Sequence, residues 1–92
     1  MTTTRTVTIA DPLGLHARPA ADFVTAARGY SSDLAISVGD KVANCKSLLS
    51  VLKLGITQGT VVMVEATGED EERAVEDLAS RLEHEVQDSA SS

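Results

Sequence analysis

The spacing of apolar residues along the chain changes between two periods. Apolar and polar residues alternate over residues 5–10 and 34–38, a period-two pattern that predicts strands, and the short segment 41–44 and the β-branched segment 60–66 predict two more. Apolar residues recur at helical spacing over residues 17–28, 48–54 and from about 69 to 86, which predicts three helices. The predicted order is βαββαβα.

Turn and cap residues fall between these segments. Gly39-Asp40 suits a two-residue hairpin, and Ser47 suits the N-cap of the second helix. Gly29 and Gly55 follow the first two helices and are expected to end them. Residues 2–4 and 87–92 are polar and are expected to fray.

The predicted architecture is an α+β fold with two layers, helices covering one face of a small sheet. At 92 residues the chain is expected to form one domain spanning residues 1–92, with its core at about 5–86. The hydrophobic fraction of 42% suffices for a packed core.

The charge of the chain argues against nucleic-acid binding. The net charge is -6 and the only aromatic residues are Phe23 and Tyr30, whereas nucleic-acid binders carry basic footprints and stacking platforms. Residues 1–64 hold six basic and four acidic residues, while residues 65–92 hold ten acidic and two basic ones. A partner that is steered by charge to the N-terminal part should therefore be acidic.

Cysteine usage and apolar run lengths bear on the compartment. Cys45 is the only cysteine, which excludes an intrachain disulfide and favours a reducing compartment, and we expect it to be a small buried residue. The longest apolar run covers residues 61–64, too short for a signal peptide or a membrane span. These features predict a cytoplasmic protein. No cluster of cysteine and histidine has metal-ligand spacing, so we expect neither metal nor cofactor.

The candidate chemistry lies in the segment Gly14-Leu15-His16-Ala17-Arg18-Pro19, where a strand gives way to a helix. Pro19 is tolerated because the N–H groups of a first helical turn have no intrahelical partner. Those free N–H groups and the helix dipole favour an anion. A neutral imidazole is a nucleophile, so His16 and Arg18 together could hold a phosphoryl group on histidine.

Three motifs together resemble the HPr family, the histidine-containing phosphocarriers of the phosphoenolpyruvate-dependent sugar phosphotransferase system. They are the segment around His16, then Lys46-Ser47-Leu48, then Leu54-Gly55-Ile56-Thr57-Gln58-Gly59. The resemblance runs from Val7 to about Val86 and implies an open-faced sandwich of a four-stranded antiparallel sheet with three helices on one face.

The resemblance also implies roles for residues near His16. His16 would accept a phosphoryl group at Nδ1 from Enzyme I and pass it to a sugar-specific A-component. Arg18 would shield the phosphate, and the backbone N–H groups of Ala17 and Arg18 would bind its oxygens. Such a protein is a carrier rather than a free-standing enzyme, and we expect a monomer.

The second motif implies regulation. Ser47 resembles the serine that a dedicated HPr kinase/phosphorylase modifies in many relatives, sometimes in connection with a catabolite-control transcription factor. The resemblance further implies a partner-docking surface of Lys46, Leu48, Leu49 and Leu52, although at least one of these leucines is expected in the core. Cys45 and the Gly39-Asp40 turn depart from the usual pattern without touching His16.

Two alternatives to sugar transport stay open at this point. One is a regulatory interaction module that acts through Ser47 while His16 is idle, which the presence of both His16 and Arg18 disfavours. The other is a carrier in a nitrogen-related phosphorelay. The sequence does not identify the sugars or acceptors served.

Overall fold

The fold was examined in a computed structural model that describes residues 2–83. Four strands and three helices alternate in the predicted order: β1 Thr2–Thr8, α1 Ala17–Arg28, β2 Asp33–Val38, β3 Lys41–Asn44, α2 Leu48–Lys53, β4 Val61–Thr67 and α3 Glu71–Glu83. The expected residues 84–86 of the last helix and the polar end at 87–92 lie outside the described residues.

The strands form one antiparallel sheet in the order β1-β4-β2-β3. β4 is central, as predicted, and pairs with β1 and β2. Thr8 lies opposite Val61 and Thr2 opposite Thr67, so the end of β1 that leads to His16 meets the start of β4.

The core lies between one face of this sheet and the helices. Alternate strand residues such as Val7, Ile36 and Val64 are buried there against Phe23 of α1 and Leu78 of α3. The apolar spacing predicted for the last helix is confirmed over the described residues, where Ala74, Val75, Leu78, Ala79 and Leu82 are all buried, while Val86 lies outside them. The α+β prediction, with three helices and an open sheet face, is therefore confirmed.

The expectation that residues 2–4 fray is wrong. They form the first half of β1, paired with β4, because threonine is β-branched and suits a strand even without apolar neighbours. Thr2 Oγ1 hydrogen-bonds Thr67 Oγ1 at 2.9 Å, and Thr3 Oγ1 donates to Glu71 Oε2 at 2.6 Å. The sheet therefore begins three residues before the predicted strand.

Asp70 connects α3 to the segment that precedes β2. Its carboxylate accepts hydrogen bonds from the backbone N–H groups of Ser31 and Ser32, at 2.9 and 3.0 Å, and from both hydroxyls. These bonds, that of the Ser32 hydroxyl above all, lower the pKa of Asp70 to about 2. The charged form of Asp70 is thus the one that stabilises the fold.

Candidate functional site

A short loop carries the chain from β1 to His16, and Asp11 shapes it. The Asp11 carboxylate accepts from the backbone N–H of Leu13 at 2.9 Å, and its carbonyl accepts from the N–H of Gly14 at 2.8 Å. This side-chain-to-backbone turn is typical of aspartate before proline. It reverses the chain and delivers His16 to the start of α1.

The segment 54–59, the third motif, holds this loop from the other side. Ile56 O accepts from Leu15 N at 3.1 Å, Gly59 N donates to Ile9 O at 2.8 Å, and Gln58 Nε2 donates to Ala10 O at 3.2 Å. Ile56 itself is buried. The described contacts therefore give this motif a supporting role for the His16 loop.

Gly14 is the point of closest approach between the two segments. Its φ of +72° lies in the left-handed region, and a Cβ there would meet Ile56 O and lie 2.7 Å from Thr57 Cα. Both neighbours are backbone atoms that no rotamer change can move. Only glycine fits this position without displacing the chain.

His16 is the N-cap of α1. Its backbone is extended, with φ -83° and ψ -177°, its carbonyl accepts from Ala20 N at 3.0 Å, and its side chain makes no capping hydrogen bond. The side chain is 38% exposed, and Nε2 lies 3.8 Å from Asp11 Oδ2. The imidazole is thus left accessible at the positive end of a helix.

Backbone donors follow His16 in the first turn of α1. The backbone N–H groups of Ala17 and Arg18 have no acceptor among the described residues, and Pro19 needs none. The Arg18 side chain is exposed and makes no described ion pair, so its guanidinium can move toward an anion beside His16. His16, Ala17 and Arg18 lie together at the start of α1, and their binding of a phosphate stays a prediction.

Ser47 caps α2, as predicted. Its Oγ accepts from Ser50 N at 3.3 Å and donates to Ser50 Oγ at 3.0 Å. Just before it, Lys46 O accepts from Arg28 Nε at 3.0 Å. Arg28 ends α1 and His16 begins it, and a 12-residue helix is about 18 Å long, so Ser47 lies toward the opposite end of α1 from His16.

The proposed docking residues divide by exposure. Leu49 is 65% exposed and Leu52 37%, but Leu48 is partly buried and packs against the core. Lys46 Nζ donates to Tyr30 O at 2.8 Å, which ties this side chain to the end of α1. Leu48 is therefore the leucine that contributes to the core, and Leu49 and Leu52 are the two available to a partner.

Sequence reasoning missed two residues of the His16 loop. Leu13 is 73% exposed, more than any docking leucine, and Asp11 has its carboxylate beside the imidazole. The Asp-Pro pair that begins a turn was a usable signal for Asp11. No pattern signalled Leu13, because a single apolar residue in a loop has no period.

Cys45 is fully buried, as predicted, and Cys45 N donates to Leu34 O at 3.0 Å. Burial raises the pKa of the Cys45 thiol to about 12, so the reactive thiolate is scarce near neutral pH. This residue adds nothing to the chemistry around His16.

Comparison with known proteins places these features in a family. A family model described as "PTS HPr component phosphorylation site" matches residues 3–84. The chain belongs to the HPr family. The phosphocarrier protein HPr of Haemophilus influenzae is 46% identical over 69 residues, covering 75% of this chain and 81% of that protein. Membership supports a phosphocarrier role in the phosphotransferase system.

Solved structures agree with the fold. The crystal structure of an HPr from Bacillus anthracis superposes with a TM-score of 0.86 at 33% identity, covering 89% of this chain and 98% of that one. Crh of Bacillus subtilis, a catabolite-repression relative of HPr, is 39% identical with a TM-score of 0.71, covering 83% of this chain and 87% of that one. That Crh structure is a domain-swapped dimer. No helix within residues 2–83 is both long and apolar enough to cross a membrane.

Proposed function

We propose that His16 accepts a phosphoryl group at Nδ1 from phosphorylated Enzyme I and passes it to sugar-specific A-components. The observation that carries the proposal is the exposed imidazole at the N-terminus of α1 beside the free N–H groups of Ala17 and Arg18. A nucleophile next to unused anion donors is what phosphoryl transfer requires.

The same geometry suits release as well as capture. Phosphoryl transfer passes through a loose state with charge spread over three oxygens, which the two N–H groups and Arg18 would stabilise. All three donors lie at the surface, where solvent weakens each interaction. The phosphate is therefore held without being trapped, as a carrier requires.

Partner docking would use exposed side chains beside His16 and along α1 and α2. Leu13, Leu49 and Leu52 offer apolar contacts, and Arg18, Arg28 and Lys53 are exposed basic residues. An acidic, partly apolar surface on Enzyme I or on an A-component would complement them. Lys46 and Leu48 would support this surface from beneath.

Phosphorylation of Ser47 by an HPr kinase/phosphorylase would regulate this docking. It adds about -1.5 to -2 charges, which are tolerated at a helix N-terminus but oppose an acidic partner. Since Ser47 lies toward the other end of α1 from His16, the effect would be on association rather than on the imidazole. We expect Ser47→Asp to slow charging by Enzyme I, whereas Ser80→Asp, an equal charge change at an exposed position of α3, should not.

The test of the carrier function is transfer of label from phosphoenolpyruvate through Enzyme I. The wild type should take up one acid-labile phosphate, and His16→Ala should take up none while keeping its helical signal. His84→Ala removes the other histidine of the chain and should behave as wild type. Equal labelling of His16→Ala and wild type, or no labelling of wild type, would refute the proposal.

A second candidate function is a regulatory module that acts through Ser47, in which a catabolite-control transcription factor binds the phosphoserine form. The observation in its favour is the similarity to Crh, whose name refers to catabolite repression. If Enzyme I leaves the wild type unlabelled, incubation with ATP and the serine kinase would test this function directly.

The proposal also covers the compartment, the oligomeric state and an alternative acceptor. The protein is proposed to be a single cytoplasmic domain, since a lone buried cysteine fits a reducing compartment. It is proposed to be a monomer, although the swapped Crh dimer makes light scattering at micromolar concentration a necessary check. A nitrogen-related A-component would accept the same phosphoryl group from His16. An assay that offers both acceptors at once would distinguish it from a sugar-specific A-component.

A further inference from the structure

We infer that Asp11 is a positioning residue that keeps the proton of the neutral His16 ring on Nε2 and so leaves the Nδ1 lone pair free for phosphorus. The effect of Asp11 on phosphoryl transfer rests on the proposed function, whereas its effect on the His16 tautomer does not. The physical basis of the tautomer effect is the position of Asp11 Oδ2, 3.8 Å from His16 Nε2.

The Asp11 carboxylate is fixed in place by its own turn. Oδ1 is held by Leu13 N at 2.9 Å, which leaves Oδ2 toward the imidazole. The Asp11 side chain is only 17% exposed, at the edge of a crevice of about 10 Å³ lined by Ile9, Asp11, Gly14, Leu15, Pro19 and Leu82. Because the carboxylate is mostly removed from solvent, water screens its charge less than it would screen a fully exposed one.

A fixed negative charge on one side of an imidazole selects its tautomer. Neutral histidine carries one proton, and the protonated nitrogen is the one favoured beside a carboxylate. The 3.8 Å separation is too long for a hydrogen bond, so in the free protein the carboxylate acts on the tautomer only through its charge. The distance can shorten to a hydrogen bond when a partner docks. No other acid lies within 4 Å of His16 in the described part of the chain.

This tautomer lets both transfers proceed without moving a proton. On capture, the Nδ1 lone pair forms a bond to phosphorus while the bond from phosphorus to the donor nitrogen breaks, and that electron pair stays with the donor. The His16 ring then bears a positive charge with Nε2–H in place, which the Asp11 carboxylate offsets. On release, the N–P electron pair returns to Nδ1 and the ring is neutral again.

The test uses Asp11→Asn, whose amide oxygen can still accept from Leu13 N while its charge is lost. Asp33→Asn is the matched control, because Asp33 is exposed and pairs with Thr67, at the end of β4 far from the loop. Nitrogen-15 NMR of the imidazole reports the tautomer ratio directly. The ratio of Nε2–H to Nδ1–H should fall about threefold or more in Asp11→Asn, within the range of a partly exposed charge pair, and stay unchanged in Asp33→Asn.

Transfer kinetics give a second, independent readout. With Enzyme I as donor, Asp11→Asn should lower kcat by at most the factor by which the tautomer ratio falls, because kcat follows the fraction of His16 in the reactive tautomer. KM for the protein should stay unchanged, since a merely structural change would alter both. Identical tautomer ratios in wild type and Asp11→Asn, or an unchanged kcat, would overturn the inference. If Enzyme I labels no variant at all, the proposed function fails, and the tautomer ratio alone still decides the role of Asp11.

Discussion

Gly14 offers the sharpest test of how the His16 loop is built. The substitution Gly14→Ala adds one methyl group at φ +72°, where it meets Ile56 O and lies 2.7 Å from Thr57 Cα. Gly55→Ala is its matched control, because Gly55 has a φ of +63° and nothing within 4 Å of the added carbon. The two variants share the backbone penalty and differ in the clash.

The magnitudes follow from this difference. A left-handed conformation costs alanine about 1–2 kcal/mol, part of which is offset by the stiffer unfolded chain. Gly55→Ala should therefore lower the free energy of unfolding by about 1 kcal/mol. Gly14→Ala must also separate the two segments, which breaks the bond from Leu15 N to Ile56 O and leaves a donor unsatisfied, at a further cost of about 2 kcal/mol.

Urea unfolding followed by circular dichroism measures both variants under the same conditions. We expect Gly14→Ala to be less stable than wild type by about 3 kcal/mol, and less stable than Gly55→Ala by about 2 kcal/mol. Equal losses in the two variants would show that only φ matters, and that the segment 54–59 does not hold the His16 loop by close approach. That result would refute the supporting role given to the third motif.

Three further predictions concern stability and reactivity. Because the pKa of Asp70 is lowered to about 2, its contribution is present above the ordinary value near 4 and is lost as the pH falls toward 2, so Asp70→Asn should flatten the acid limb of a thermal-midpoint profile. An equally steep limb in that variant would contradict this. Ser47→Ala removes the N-cap of α2 and should cost about 1 kcal/mol in urea unfolding, whereas Ser47→Asp should retain much of the cap. Cys45 should react with a thiol reagent at pH 8 only after denaturation, and rapid reaction of the native protein would contradict its burial and raised pKa.

Much of the fold could be predicted from the sequence because local and tertiary preferences agree along it. α1 and α2 begin and end within one residue of their predicted bounds, since the N-cap Ser47 and the residues that follow both helices act locally. α3 begins at Glu71, two residues after the predicted start at about 69, and its predicted end at 86 lies outside the described residues. β1 was predicted too short, since Thr2–Thr4 have no apolar alternation and their order comes from pairing with β4. Cross-strand pairing is a long-range property that a single stretch of sequence does not display.

Some residues of the candidate site could likewise be predicted from local sequence, and others depend on the three-dimensional fold. His16 and Arg18 could be proposed from the sequence because the residues that form an anion-binding helix N-terminus are adjacent in the chain. The closeness of Asp11 to His16 could not be predicted, since it depends on how the turn brings a carboxylate to within 3.8 Å of a ring five residues later. Which of Leu48, Leu49 and Leu52 is buried likewise depends on which side of α2 faces the core.

The exposure of His16 indicates which part of the protein would select the transfer partner. His16 is 38% exposed and is followed by backbone donors and one exposed basic side chain, so it lies on an open surface and not inside an enclosed pocket. Electrostatic stabilisation at such a surface becomes strong only when a partner excludes water from it. In the proposed carrier, the docking surface and not the imidazole would therefore choose the partner, and a charge added at Ser47, toward the other end of α1, would act on that choice.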